Sequence, residues 1–271
     1  MLELSSDRFE SVLPLLADFP QRVLPQAICQ GINPGRVFVD RLEEPRTAFI
    51  WSPVGYYFLA GQPGAAVDMA ALRHVLIDTF VPASRAGGET GLILIPSSPE
   101  WKAYLPVLLP NREVIEIYRR PFDLDTARFA ALADGLGEIP PGLSLQPVDA
   151  RTAGAAGVLA SWASLEDFFE HGVGYALLAD DETASGCLSV YASRQRVEID
   201  VHTAEAQRRK GYALWCAAAL VKECQRRGLQ PNWECFWDNE PSARLAARLG
   251  FRALPDYPVF YWDEEDRKSV V

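Results

Sequence analysis

The clearest pattern of hydrophobic and polar positions lies in the last third of the chain. VEIDVHT, residues 197–203, alternates apolar residues on one face with Glu198, Asp200 and His202 on the other, which is the period of a β-strand. LWCAAALVKECQRR, residues 214–227, is rich in alanine, has apolar residues at helical spacing and is followed by a glycine that suits a helix end. The pattern therefore predicts a strand, a short turn and a helix.

The turn between these two elements is basic and contains one glycine. Its sequence is RRKGYA, residues 208–213. The first N–H groups of a helix have no partner within the helix, and the helix dipole places partial positive charge there. Gly211 allows a ligand to approach the backbone closely, and the side chains of Arg208, Arg209 and Lys210 attract phosphate. The turn is a candidate anion site, although a solvated basic turn before an amphipathic helix would have the same sequence.

A second strand and a second helix follow. NWECFW, residues 232–237, is a short aromatic segment that predicts a strand. Asn239 is a suitable N-cap for the next helix, Pro241 suits its first turn and Gly250 suits its end. The helical crossover between the two strands predicts that they lie parallel in one sheet.

The remaining sequence mixes strands with helices, which predicts an α/β or α+β fold. In a first block, residues 1–136, the predicted helices are 7–16, 23–30, 65–80 and 123–136, and the predicted strands are 37–39, 47–51, 56–59, 91–95 and 113–118. Asp123 or Asp125 is expected to cap the last of these helices.

A turn-rich linker separates this first block from a second one. Gly137-Glu-Ile-Pro-Pro-Gly142 has the composition of a domain boundary. In the second block, residues 143–271, strands are predicted at 143–147, 174–179 and 185–193, and helices at 150–159 and 165–171, all before the VEIDVHT strand.

Composition narrows the class of protein. Apolar residues at 49% and charged residues at 23% are ordinary for a globular protein. The formal net charge of −10 argues against nucleic acid or an acidic membrane as the main partner, but it leaves room for an anionic ligand at a local basic turn. No stretch approaches the roughly 18–20 apolar residues that a membrane span needs, and the N-terminus lacks the cationic start of a signal peptide. We therefore expect a cytoplasmic protein.

Several other kinds of site are not expected. The five cysteines form no C-x-x-C pair and are predicted to be reduced thiols, mostly in the core. The three histidines, His74, His171 and His202, lack metal-ligand spacing, so no metal is expected. The sequence has no P-loop, no dinucleotide-binding glycine motif after a strand and no G-x-S-x-G elbow.

The two motifs together resemble those of the GNAT acetyltransferase superfamily, in the family's order and at a similar separation. Arg208-x-x-Gly211-x-Ala213 matches the turn that grips the pyrophosphate of acetyl-CoA. Asn239, Ser242 and Leu249-Gly250-Phe251 match the later segment that flanks the pantetheine arm. This resemblance covers about residues 143–262.

Four further segments resemble the corresponding sequences of one bacterial subfamily of longer GNAT acetyltransferases. Within that subfamily the resemblance extends over most of the chain. These segments are Trp162-Ala-Ser-Leu-Glu-Asp-Phe168, Glu198-Ile199, Thr203 and Trp233-Glu-Cys235.

The resemblance implies a fold and a cosubstrate. The fold is a C-terminal GNAT-like domain with a mixed, splayed central sheet, preceded by a smaller α/β or degenerate GNAT-like domain that lacks the cofactor motif. The cosubstrate is acetyl-CoA, whose pantetheine amides would pair with the backbone near Val201 and Thr203 like an added strand. The residues implied in binding it are Val201, Thr203, Arg208, Arg209, Lys210, Gly211, Tyr212, Ala213, Asn239 and Ser242.

Acyl transfer from a thioester to an amine needs a base, donors for the developing oxyanion and a proton for the leaving thiolate. The resemblance places Glu198 where the superfamily often keeps a base that acts directly or through water. The alternative is an ordinary polar-face residue or an electrostatic partner for the substrate. Tyr257 is the predicted acid, with Tyr261 as the alternative, because a neutral phenol can donate to a thiolate. His202, on the same strand as Glu198, is a candidate substrate contact.

The resemblance implies an N-acetyltransferase that transfers an acetyl group from acetyl-CoA to a primary amine by direct attack in a ternary complex. The acceptor would be a small molecule or a peptide, and its identity and the oligomeric state stay open. The alternative is a non-catalytic acyl-CoA-binding regulatory or scaffold protein. A pseudo-enzyme without cofactor is a third reading, against which the intact basic turn argues.

Overall fold

The computed structural model describes residues 1–64 and 67–264. Its strands are, in chain order, β1 Leu2–Glu3, β2 Arg36–Val39, β3 Thr47–Trp51, β4 Tyr56–Gly61, β5 Gly91–Pro96, β6 Ile115–Leu124, β7 Leu143–Pro147, β8 Gly174–Ala179, β9 Glu182–Ala192, β10 Arg196–Thr203, β11 Gln230–Phe236, β12 Phe251–Ala253 and β13 Tyr257–Asp263. Its α-helices are α1 Leu24–Cys29, α2 Met69–Arg73, α3 Val81–Ala86, α4 Leu105–Leu108, α5 Thr126–Gly135, α6 Ala153–Ala156, α7 Leu165–His171, α8 Tyr212–Arg227 and α9 Glu240–Arg248. Short 3-10 helices occupy Ser6–Leu16, Pro99–Tyr104, Val158–Ala160 and Glu205–Gln207, and His74–Phe80 forms a π-helix.

The chain divides into two compact units, and the division differs from the predicted boundary at 137–142. The first unit contains residues 1–118 and 257–264, and the second contains residues 119–256. Residues 119–124 join the second unit because they pair with β11 there. The C-terminal strand β13 joins the first unit because it pairs antiparallel with β5, through Phe260 and Leu94 among others.

The first unit has a mixed sheet in the order β1–β2–β3–β4–β5–β13. Its pairs are antiparallel except for β4 and β5, which are parallel. The central strands β3 and β4 are buried on both faces, since residues 47–50 of β3 and 57–60 of β4 are all buried. The core beside this sheet is aromatic and includes Phe49, Tyr57, Phe80, Trp101 and Trp262.

The second unit has its own mixed sheet, in the order β7–β8–β9–β10–β11–β6, with β12 also paired to β6. Here the parallel pair is β10 with β11, and the other pairs are antiparallel. Helix α8 connects β10 to β11 and packs a face of small and branched residues on the sheet, among them Ala217, Leu220 and Val221. A helix with such an apolar stripe is stabilised mainly by this packing.

Most predicted elements are confirmed, including the order of strands and helices from residue 143 onward. The predicted caps are confirmed as well. Asp125 Oδ1 accepts hydrogen bonds from the backbone N–H groups of Ala127 and Arg128. Gly228 ends α8 in the left-handed conformation, at φ 70°.

Several boundaries differ from the prediction. The helix expected over 150–159 is only α6 and a 3-10 turn, because Gly157 adopts a left-handed conformation between them. The helix expected over 65–80 begins at Met69 and widens into the π-helix; residues 65 and 66 lie outside the described residues. The strand expected at 185–193 starts earlier, at Glu182, because the hairpin turn is confined to Asp180 and Asp181, both at positive φ.

Candidate active site

The parallel strands β10 and β11 pair over a short distance and then separate. In the described residues they are in register at three positions, Arg196 with Gln230, Val197 with Pro231 and Glu198 with Asn232. Beyond Glu198, β10 continues to Thr203 while paired only to β9 on its other side. Beyond Glu198 the β10 edge opposite β9 therefore pairs with no strand in the described residues, and pairing of the pantetheine amides with the backbone near Val201 and Thr203 stays a prediction.

Glu198 lies at the last position where β10 pairs with β11, and it is buried, with 5% of its surface exposed. Its carboxylate oxygen Oε2 accepts a hydrogen bond of 2.6 Å from Asn232 Nδ2 on the opposite strand. A buried carboxylate is stable only when donors face it, and the Asn232 amide supplies one.

The simple alternation predicted for this strand is wrong at Glu198. The register between β9 and β10 shifts between Glu198 and Ile199, which marks a β-bulge. As a result Glu198 is buried, whereas Asp200 and His202, predicted to share its face, are exposed. A bulge adds one residue to a strand and redirects the side chains beside it. Glu198 is therefore not an ordinary residue of a solvated face.

The basic turn has the open form that an anion site requires. Gly211 is the N-cap of the sixteen-residue helix α8, at φ 84°, and no side chain caps this helix end. A Cβ at Gly211 would meet no heavy atom within 4 Å, so the backbone conformation and not crowding requires glycine here. Arg209 also has a positive φ, of 65°. The first N–H groups of α8 thus face outward beside three cationic side chains.

The cationic side chains of the turn are exposed and partly held in place. Arg208 Nε donates to the backbone oxygen of Thr203 at 3.3 Å, and Lys210 Nζ donates to Gln207 Oε1 at 2.7 Å. Lys210 Nζ also lies 5.9 Å from the ring centroid of Tyr212. These contacts keep the charges close to the helix end without pairing them with a carboxylate.

Asn239 and Ser242 both have structural partners. Asn239 Oδ1 accepts a hydrogen bond from the backbone N–H of Ser242 and so caps α9. Ser242 Oγ accepts one of 3.0 Å from Trp233 Nε1 and so ties α9 to β11. Their predicted role in cofactor binding stays a prediction, since capping and bracing already account for both residues.

The two predicted tyrosines lie in the first unit, on β13. Tyr257 begins that strand and is half-buried, whereas Tyr261 Oη donates to Asp263 Oδ2 at 3.0 Å. The acid role of Tyr257 stays a prediction.

A buried ion pair on β11 was not foreseen. Glu234 Oε1 accepts a hydrogen bond of 2.8 Å from Arg119 Nε, and both side chains are almost fully buried. The Arg119 guanidinium also lies 4.5 Å from the ring centroid of Phe236. The sequence signal was the alternation of Asn232 and Glu234 with Trp233 and Cys235, which places the two polar residues on one face of the strand.

The cysteines are buried and their chemistry is that of a core. All five are free thiols. Burial raises the pKa of Cys216 to about 11 and the pKa of Cys224 to about 12, and it raises the pKa of Cys187 well above the usual range of a thiol. Protonated buried thiols are poor nucleophiles. They offer no route to a covalent acyl intermediate.

Residues 1–64 and 67–264 contain neither a metal-binding cluster nor a membrane-spanning helix. Within them no group of three histidine, cysteine, aspartate or glutamate side chains is placed to hold a metal ion. In the same ranges no helix combines the length and the hydropathy that crossing a bilayer requires.

Comparisons with known proteins agree with this geometry. A model of the GNAT acetyltransferase family matches residues 13–260. The chain is 27% identical over 265 residues to the uncharacterized N-acetyltransferase YdfB of Bacillus subtilis (strain 168), covering 96% of this chain and 97% of that protein.

Solved structures share the fold. A GCN5-related N-acetyltransferase-like protein from Streptococcus suis 89/1591 is 23% identical, with a TM-score of 0.71 over 95% of this chain and 99% of that one. A tandem GNAT protein from the clavulanic acid biosynthesis pathway is 12% identical, with a TM-score of 0.62 over 97% of each chain. The predicted fold class is confirmed.

The match to the family model defines the class of protein as an acyltransferase. The chain belongs to the GNAT acetyltransferase family, whose model spans all but the ends of the sequence.

Proposed function

We propose that the protein transfers an acetyl group from acetyl-CoA to a primary amine of a small-molecule or peptide acceptor. One observation carries the proposal. β10 has a buried carboxylate, Glu198, at the point where it separates from β11, and the same strand leads into the open helix end at Gly211. A group for proton transfer and a site for phosphates are thus joined by one edge of exposed backbone.

The turn from Arg208 to Ala213 supports binding of the pyrophosphate. The first N–H groups of α8 point away from the helix, and Arg208, Arg209 and Lys210 are exposed beside them. Each hydrogen bond to a charged group contributes roughly 1.5–3 kcal/mol. Backbone groups of β10 near Val201 and Thr203 would receive the pantetheine amides in the manner of an added strand.

The chemistry needs no metal and no covalent enzyme intermediate. The amine nitrogen attacks the thioester carbonyl, and a C–N bond forms while the C–S bond breaks. Glu198 accepts the proton that the nitrogen gives up, directly or through water. The sulfur leaves as a thiolate that takes up a proton, so the products are an amide and free CoA. Both substrates are bound together, in a ternary complex.

Gly211→Glu tests the cosubstrate site. It places a side chain and a negative charge where the phosphates are expected, so we expect the dissociation constant of acetyl-CoA, measured by calorimetry, to rise roughly 10–100-fold. Gly211→Ala is the matched control, since it introduces the same left-handed backbone strain without the charge. Circular dichroism checks that both variants are folded. Unchanged affinity in a folded Gly211→Glu protein would reassign the anion site.

An amine panel tests the transfer itself. Thiol release from acetyl-CoA is followed with amines that range from small monoamines to lysine-containing peptides. Turnover with any of them supports the enzyme, whereas tight acetyl-CoA binding without thiol release would favour the alternative of a non-catalytic acyl-CoA-binding protein.

A further inference from the structure

Asn232 stands out among the buried polar residues of the second unit. It lies on β11 at the last position that pairs with β10, and only 1% of its surface is exposed. Its side-chain nitrogen donates to Glu198 Oε2 at 2.6 Å. Its side-chain oxygen Oδ1 is fully buried and has no hydrogen-bond partner among residues 1–64 and 67–264. One half of this amide is therefore used, and the other half is desolvated without a partner in the described residues.

A buried amide oxygen without a partner is costly. Leaving such a group unpaired costs roughly 1–3 kcal/mol, and most buried polar groups have a partner. The nitrogen of this amide already serves the buried Glu198 carboxylate, whereas no group in residues 1–64 and 67–264 donates to its oxygen. The asparagine therefore has a role in which both halves of its amide are used.

We propose that Asn232 positions Glu198 and that its Oδ1 accepts a hydrogen bond from the acceptor amine; this rests on the proposed function. After the C–N bond forms, the nitrogen of a primary amine carries two N–H groups. Glu198 takes one of these protons, and Asn232 Oδ1 holds the other. The two strands that separate at this point thus present a base and an acceptor side by side.

The arrangement specifies the class of acceptor. A secondary amine brings one N–H, which the base consumes, and leaves none for Asn232. A primary amine satisfies both groups. Asn232 is therefore a specificity-determining residue for primary over N-methylated amines, in addition to orienting Glu198.

The contact between the two side chains can be tested without any acceptor. In protein labelled with 15N-asparagine, the Asn232 side-chain amide is assigned by its loss in Asn232→Val. In the wild type we expect one of its two protons to resonate downfield, because a short hydrogen bond to a carboxylate deshields it. In Glu198→Gln this proton should move upfield. Identical Asn232 signals in wild type and Glu198→Gln would overturn the positioning role.

Kinetics test the contact with the amine. For each primary amine that the wild-type protein acetylates, kcat/KM is compared with that of its N-methyl derivative. Asn232→Val is chosen because valine suits a buried strand. We expect this variant to lower kcat/KM for the primary amine by roughly 10–100-fold, which is the loss of one hydrogen bond to a charged group. For the N-methyl derivative the loss should be clearly smaller, and acetyl-CoA affinity should be unchanged.

The kinetics and the spectra test the two parts of the proposal separately. Equal losses for the two amines would overturn the contact between Asn232 and the amine. If acetyl-CoA binds but no amine is acetylated, the proposed function fails and the amine contact fails with it; the asparagine spectra still decide whether Asn232 orients Glu198. If Asn232→Val is misfolded, the smaller polar variant Asn232→Ser provides the assignment by the same loss of signal, and the wild-type and Glu198→Gln spectra are then the deciding measurement.

Discussion

Each unit of this protein contains one parallel strand pair, and the two pairs end differently. In the first unit β4 and β5 stay in register from Tyr56 with Ile93 to Leu59 with Pro96, and Ser97 still donates to the Leu59 carbonyl beyond that. In the second unit β10 and β11 separate after three positions. Both pairs have the same local order of strand, connection, helix and strand. The strand order alone therefore does not make a cleft.

The two strand pairs differ in the groups that contact the end of their first strand, which is β4 in one unit and β10 in the other. In the first unit the carbonyl oxygen of Gly61, the last residue of β4, accepts hydrogen bonds from Trp101 Nε1 and Ser97 Oγ, both 2.9 Å long. The next helix, α2, is capped by the Asp68 carboxylate, which accepts from Ala71 N. An acidic cap satisfies the helix end and repels an anion.

In the second unit the helix end is open, whereas the end of β10 is contacted by a cationic side chain, because Arg208 Nε donates to the Thr203 carbonyl oxygen at 3.3 Å. Helix α8 has Gly211 as its cap, with no capping side chain and with cationic residues before it. The contact at the end of β10 thus comes from an exposed cationic side chain, whereas in the first unit Gly61 is contacted by the buried Trp101. The two pairs share the arrangement of strands and differ in a few residues at the strand ends, so the strand arrangement alone does not define a site.

The largest expected effect is on the proton transfer that we propose for the second strand pair. Glu198→Gln keeps the shape and polarity of the side chain but removes the base, so we expect turnover at neutral pH to fall by roughly 10²–10⁴-fold. Acetyl-CoA affinity should change little. Thiol-release rates and calorimetry measure the two quantities, and Glu138→Gln, the same substitution at an exposed linker residue, is the control. Near-normal turnover in Glu198→Gln would assign the base to water or to an amine deprotonated before it binds.

The second test removes the tryptophan side chain that contacts the end of β4 in the first strand pair. Trp101 is fully buried, and Trp101→Ala removes both its packing and its hydrogen bond to Gly61. We expect the free energy of unfolding to fall by roughly 3–5 kcal/mol, as measured by urea denaturation. Trp237→Ala is the control, because that side chain is half exposed and its loss should cost less than about 0.5 kcal/mol. Equal effects at the two tryptophans would contradict the role given to Trp101.

The third test compares two glycines with the same backbone conformation. Gly61 and Gly211 both have φ 84°, but a Cβ at Gly61 would overlap the carbonyl oxygen of Arg46, whereas a Cβ at Gly211 meets nothing. Gly211→Ala should therefore cost only the left-handed strain, roughly 1–2 kcal/mol. Gly61→Ala adds a backbone displacement and should cost roughly 2–4 kcal/mol. Thermal or urea unfolding of the pair measures the difference, and equal losses would show that Gly61 is not confined.

The smallest expected effect concerns the helix behind the anion turn. Hydrogen bonds from Arg226 and then Arg227 lower the pKa of Glu223, near the end of α8, to about 2. A lowered pKa stabilises the folded state above the ordinary carboxyl range and loses that contribution as pH falls toward 2. Since Arg226 is largely exposed, Glu223→Gln should cost only about 0.5–1 kcal/mol at pH 7.

The pH dependence separates this pair from a looser one in the first unit. The difference between wild type and Glu223→Gln should vanish near pH 2–3. Asp78→Asn, which breaks the exposed His74–Asp78 contact of the first unit, should have almost no effect on unfolding at pH 7. A Glu223→Gln effect that persists unchanged at low pH would have a cause other than the ion pairs.

Much of the second unit could be predicted because its signals are local. The strand at VEIDVHT, the cap at Asn239 and the stop at Gly228 each depend on neighbouring residues, and the structure confirms all three. The turn that places Gly211 at the start of α8 was predicted for the same reason, and anion binding there stays a prediction. A helix end and its preceding glycine are visible within six residues.

Features that depend on distant pairing could not be predicted. The bulge beside Glu198 is set by the register of β9, so alternation alone placed this residue on the wrong face. The partnership of Glu198 with Asn232 joins residues 34 positions apart. The placement of β13 in the first unit depends on β5, more than 160 residues earlier. Register carries no local sequence signal until the partner strand is known.

The positive φ of Arg209 has a consequence for the speed of binding. A left-handed conformation costs a non-glycine residue roughly 1–2 kcal/mol, and the folded protein holds it before any ligand arrives. The loop therefore needs no ordering step on the binding pathway, and acetyl-CoA should associate in a single phase whose rate rises linearly with its concentration. Because the attraction between the turn and the phosphates is long-range, that rate should fall steeply as salt is added, while the dissociation rate changes much less.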